Sequence, residues 1–212
     1  MKKTIIILIG MLVAASTLYA TDKYTEAMEK ATQQLSEAQS PEAYLEVSNT
    51  FARIAAVEQD KWIPAYYAAY SLTIYAAMNE NPEVKDDYLD QAEEYLKKAS
   101  SVDEQNAEIL ALQSFVYLIR IGVDPQNRGQ EFSGKSGSAL AKARELDPSN
   151  PRVMYLTAQL NYGTAQFFGQ SGSEACKMNA QAIAMFDSYS SDVPFYPTWG
   201  KNMALGFQER CN

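Results

Sequence analysis

The sequence contains no histidine at all. That removes the Ser-His-Asp and Cys-His nucleophile pairs, histidine-ligated zinc, and the usual general base near neutral pH. Glycine (10) and proline (8) are too few for a collagen-like chain or a proline-rich linker. Basic residues are in deficit, 18 against 26 acidic, so a nucleic-acid partner, which needs a basic face, is not expected. After the first twenty residues no apolar run is long enough to span a bilayer. What remains is 47% apolar and 21% charged over 212 residues, the composition of a soluble globular domain or a short repeat array.

Residues 1–20 read as a secretion signal and not as part of the fold. Lys2 and Lys3 give a positive start, Thr4 to Ala15 an apolar run, and Ser16 to Ala20 a small, polar cleavage region. No cysteine lies near the cut, so a lipid anchor is not expected. The competing reading is an uncleaved N-terminal anchor. Cleavage leaves residues 21–212 as one domain, exported to a periplasm or secreted, with no membrane span of its own.

That domain repeats itself. Small residues stand at Ser48, Ala92 and Ser136. They are followed by Ala52, Leu96 and Leu140, then Ala55, Ala99 and Ala143, then a break at Asp60, Glu104 and Pro148, each column stepping by 44 residues. The large residue opening the next segment is Tyr66, Leu110 and Met154 in the same steps. A fourth copy runs Ala182, Phe186, Tyr189, Pro194. Apolar positions Tyr24, Ala27, Met28, Ala31 and Leu35 follow helical period, and Ser40-Pro41 and Asn150-Pro151 read as helix starts. These spacings predict helices over 22–38, 41–57, 63–78, 83–100, 106–120, 136–146, 150–162, 172–189 and 198–210. The last carries Trp199, Met203, Phe207 and Cys211 on one face, as a cap.

The small–large–alanine–proline columns resemble the tetratricopeptide repeat, clearest in Ser136, Leu140, Ala143 and Pro148. That family repeats at about 34 residues, so this chain carries about ten more per unit. They are placed between the two helices of each unit, around Asn79 to Asp87, Gly122 to Lys135 and Gly163 to Gly172. The family's first-helix glycine is replaced by Tyr70, Ser114 and Ala158. The resemblance implies an all-α array of about four helix pairs plus a C-terminal capping helix. It also implies a ligand groove on the first helices. By register that groove holds Tyr67, Ser71, Ile74 and Tyr75, then Ala111, Phe115 and Leu118, then Tyr155, Gln159 and Tyr162. The plain alternative is that these rings pack inside.

Gly129 to Ser136 matches the phosphate-binding GxxxxGK[ST] pattern. The strand that should run into its first glycine is interrupted by Gly122 to Arg128, and Ser136 already belongs to a packing column. No nucleotide or other cofactor is expected. Phe167-Phe168-Gly169-Gln170-Ser171-Gly172 joins aromatics to glycines, as a binding rim or a tight turn. Cys176 and Cys211 have a single possible pairing in an oxidising compartment; the alternative is two buried thiols. With no catalytic constellation, the chain reads as a non-enzymatic scaffold or adaptor that takes a protein or peptide in its groove. The alternative is a small-ligand or glycan-binding module using the tyrosines.

Overall fold

The computed structural model describes residues 23–211. The expected signal segment lies outside them. Among the described residues the regular structure is helical: α1 (described over 23–37), α2 (Pro41–Val57), α3 (Trp62–Met78), α4 (Pro82–Val102), α5 (Ala107–Val123), α6 (Pro125–Leu146), α7 (Pro151–Phe167), α8 (Ser173–Phe186) and α9 (Lys201–Glu209). Helices α3–α4, α5–α6 and α7–α8 form successive hairpins, and α3, α5 and α7 lie side by side. The expected all-α hairpin array with a terminal cap is what the chain builds. No described helix is long and apolar enough to cross a membrane.

The helix starts are written locally. Ser40, Asn81, Asp124 and Asn150 each precede a proline at the first helical position. Each accepts a backbone N–H with its side chain, as Asn150 Oδ1 does from Arg152 at 2.9 Å. Asn106 caps α5 in the same way without a proline.

Two boundaries differ from expectation for one reason. The stretch 122–135, expected as a loop, is helix: α5 runs on to Val123, and α6 begins at Pro125 with a single residue between them. Gly129 and Gly134 lower helix propensity there, but Asp124-Pro125 supplies the start and packing against α5 outweighs the glycines. Helix α7 likewise continues to Phe167. The added residues lengthen helices instead of forming loops.

The repeat columns mark close approach. Ser136 on α6 meets Ser114 on α5, hydroxyl to hydroxyl at 2.8 Å, both fully buried. Leu96 and Leu140 fill the spaces between Ala92 and Ala99 and between Ser136 and Ala143. In the first unit Ala52 and Ala55 are only half-buried, and Phe51 and Ile54 take the inward positions instead.

An ionic clamp ties the α5–α6 hairpin to α4. Arg120 reaches Asp86 (3.2 Å), Glu93 (3.1 Å) and Asp90, while Arg128 grips both oxygens of Asp86 at 2.7 and 2.8 Å. Arg128 holds the Asp86 carboxyl below its ordinary range.

Candidate functional site

The face formed by α3, α5 and α7 is not an open groove. The irregular segment 188–200 crosses it as a strap. Trp199 stacks on Tyr70 and on Phe115, with ring centroids 5.0 and 5.7 Å apart, and its Nε1 donates to the Tyr66 hydroxyl at 2.7 Å. Tyr67 donates to the Tyr196 carbonyl at 3.4 Å and stacks on Phe51. Arg152 donates from Nη1 to the Trp199 carbonyl at 3.1 Å. Tyr189 donates to Asp147 at 2.6 Å. Gly200 ends the strap at φ 112°, a conformation that favours glycine. A Cβ there would fall 2.7 Å from Phe186 and 3.1 Å from Arg152.

Five expected groove residues are corrected by this arrangement. Tyr67, Ser71, Ala111, Phe115 and Tyr155 are buried, between 0% and 4% exposed. Burial raises the hydroxyls of Tyr67 and Tyr155 well above the ordinary tyrosine range. Tyr75 is half-buried and packs its ring 4.3 Å from Tyr88, apart from the others. Trp199 is also corrected: it belongs to the strap and not to the cap helix, which begins at Lys201. The repeat register fixes which side of each helix faces inward, but a non-local segment covers that side.

Open space lies instead at the ends of the lengthened hairpins. A solvent-open cavity of about 720 Å³ is lined by the last turns of α5 and α7, the first turns of α6, and the end of α9. Leu118, Ile121, Leu160 and Phe207 supply apolar walls, and Gln126, Gln130 and Gln159 supply amides. The expected residues Leu118, Gln159 and Tyr162 all line it. Tyr162 meets Phe207 edge to face at 5.1 Å, and it fills the space that a Cβ on Gly172 would occupy. Gln159 contacts the hydroxyl of Tyr155.

The rim carries two features. Phe167 and Phe168 stand 60% and 67% exposed at the end of α7, edge to face with each other at 5.3 Å. They give the mouth of the cavity an exposed apolar edge. Arg210, exposed, is the charged residue of the lining, its guanidinium 5.0 Å from the Phe207 ring. Sequence reasoning singled out the two phenylalanines, as a rim or a turn, but not Arg210. It placed Gly122, Gly129 and Gly163 in the insertions between helices, Gly129 at the head of the phosphate-loop look-alike, and assigned none of them to this cavity.

Helix α9 is fastened to α8. Cys176 and Cys211 are disulfide-bonded, with Cα atoms 5.7 Å apart, where the sequence had left two buried thiols equally open. Asn179 Nδ2 donates to the Ala204 carbonyl (2.9 Å) and to Gln208 (2.8 Å). These bonds set Phe207 and Arg210 against the cavity.

The phosphate-loop look-alike is excluded by conformation. Gly129 to Ser136 lies within α6, where the backbone amides are committed to the helix. Lys135 pairs with Glu131 at 2.6 Å, and Ser136 is buried against Ser114. No group of metal-binding side chains occurs among the described residues.

No protein-family model matches the sequence, and no curated protein matches it. Among solved structures, the HusA haemophore from Porphyromonas gingivalis matches with a TM-score of 0.78 and 32% identity, over 89% of this chain and 92% of that one. With that identity spread over nearly the full length of both chains, the protein belongs to the family of the HusA haemophore.

Proposed function

We propose that this chain is an exported binding protein for a flat, largely apolar tetrapyrrole of the haem class, held in the cavity between α5, α6, α7 and α9. The observation that carries the reading is the cavity itself. It is roomy enough for a ring system of that size, is walled by aliphatic and aromatic side chains, and has an exposed phenylalanine pair at its edge. Kinship with a haemophore supports that ligand class over a glycan. The tetratricopeptide-like groove required by the protein-scaffold reading is filled by the chain's own strap, which weighs against it.

The cavity suits the ring more than the metal. The chain has no histidine, both cysteines are bridged, and no methionine lines the cavity. Binding then rests on apolar contact and stacking, with Arg210 placed to meet a peripheral carboxylate. Titrating the mature protein into haemin and protoporphyrin IX, followed by the visible absorption of the ring, tests the reading. Saturable spectral change at one ring per chain is expected. An unchanged spectrum at micromolar protein would overturn it.

A further inference from the structure

Three glycines from three different helices line the cavity: Gly122 near the end of α5, Gly129 in the second turn of α6, and Gly163 in the last third of α7. Glycine is the poorest helix former after proline, so each position weakens its helix. The two ordinary reasons for a glycine do not apply. None has positive φ. A Cβ built at any of them meets nothing within 4 Å, so no neighbour requires the space. Gly134, also on α6, shares both properties but lies outside the lining. Lack of a packing partner alone therefore decides nothing. What singles out the three is their convergence from separate helices on one cavity.

We infer that Gly122, Gly129 and Gly163 are specificity-determining residues that let the face of a flat ring lie directly on the helix backbones. This rests on the tetrapyrrole reading of the same cavity and adds which atoms select the shape. A methyl group at any of the three stands in the space that a flat face in van der Waals contact with the backbone would fill. A rigid macrocycle cannot bend around it. A ring buckled out of plane meets the same backbone at fewer points.

The test separates stability from binding. Gly129→Ala, Gly163→Ala and Gly122→Ala are compared with Gly134→Ala as the control outside the cavity. Every alanine restores helix propensity, so each variant should melt at the same temperature or about 2–4 °C higher. Protoporphyrin IX affinity should fall about tenfold or more in each of the three cavity variants and stay unchanged in Gly134→Ala. Wild-type protein should also prefer protoporphyrin IX to its N-methyl derivative, whose ring is buckled. Cavity variants that are stable and bind protoporphyrin as wild type does would overturn the inference while leaving the tetrapyrrole reading intact. Equal wild-type affinity for flat and buckled rings would do the same. Wild-type protein that binds no porphyrin would overturn both.

Discussion

Glu108 and Arg152 occupy the same position in successive repeats, 44 residues apart, and form a two-pronged ion pair inside the array. Arg152 Nε and Nη2 donate to the two carboxylate oxygens at 2.6 Å each, and neither side chain is more than 2% exposed. Asn150 Nδ2 adds a bond to Glu108 at 2.5 Å, and the Tyr66 hydroxyl another at 3.4 Å. The same Arg152 holds the strap through the Trp199 carbonyl. One pair therefore ties α5, α7 and the strap together.

Breaking that pair leaves a buried charge without its partner, which costs about 3–5 kcal/mol. Arg152→Leu and Glu108→Leu should each lower stability by that order in urea denaturation. The double variant Glu108→Leu/Arg152→Leu should recover a substantial part. Single variants no worse than the double would show that the charges are not coupled.

The disulfide closes a 35-residue separation, for which the chain-entropy estimate is about 4 kcal/mol. Cys176→Ser/Cys211→Ser should lose stability of that order. It should also bind porphyrin more weakly, because α9 brings Phe207 and Arg210 to the cavity. A double variant with wild-type denaturation midpoint and affinity would remove α9 from the account.

If the ring and not the iron is recognised, metal-free protoporphyrin and haemin should bind within a few-fold of each other. Tyr162→Phe, which removes the lining phenol best able to ligate iron, should change haemin affinity by less than about threefold. A loss of about a hundredfold in that variant, spared for the metal-free ring, would instead make Tyr162 an axial ligand.

Arg210→Glu reverses the charge at the rim. Affinity for protoporphyrin IX should drop about tenfold, and more at low ionic strength, since the group is exposed and salt-screened. The dimethyl ester, which carries no carboxylate, should bind the variant and the wild type alike. An equal loss for acid and ester would mean that Arg210 acts through packing on Phe207.

Burial raises the hydroxyls of Tyr24 and Tyr196 to about 12, with Glu108 adding to the effect at Tyr196 and Glu58 at Tyr24. A raised folded-state value favours the neutral phenol in the fold. The stability it contributes is intact below the ordinary tyrosine value of about 10 and lost as pH rises toward about 12. Phenolate absorbance at Tyr196 should therefore appear together with strap release, read from Trp199 fluorescence, within that window. Titration of Tyr196 near pH 10 with unchanged fluorescence would mean that docking of the strap does not bury the Tyr196 hydroxyl.

The parts of the molecule that local chemistry controls were legible without coordinates. Helical period and the cap-proline pairs at Ser40 and Asn150 give helix type and starts, and the 44-residue columns give the hairpin packing that Ser136 and Leu140 carry out. Phe167 and Phe168 stood out in the sequence as aromatics beside glycines, a pattern that suits either a rim or a tight turn; their place at the end of α7 beside the cavity came from the structure. That 122–135 is helix is a result of packing, since its glycines oppose the helix locally and contact with α5 overrides them. The fate of the tyrosines is another such result. The strap has no periodicity, and its partners are distant in sequence: Trp199 meets Tyr66 across 133 residues. Periodicity reports which side of a helix is buried, not what buries it. The face that register marked for a ligand was therefore taken by the chain itself, and the open cavity lies among the last turns of α5 and α7 and the first turns of α6.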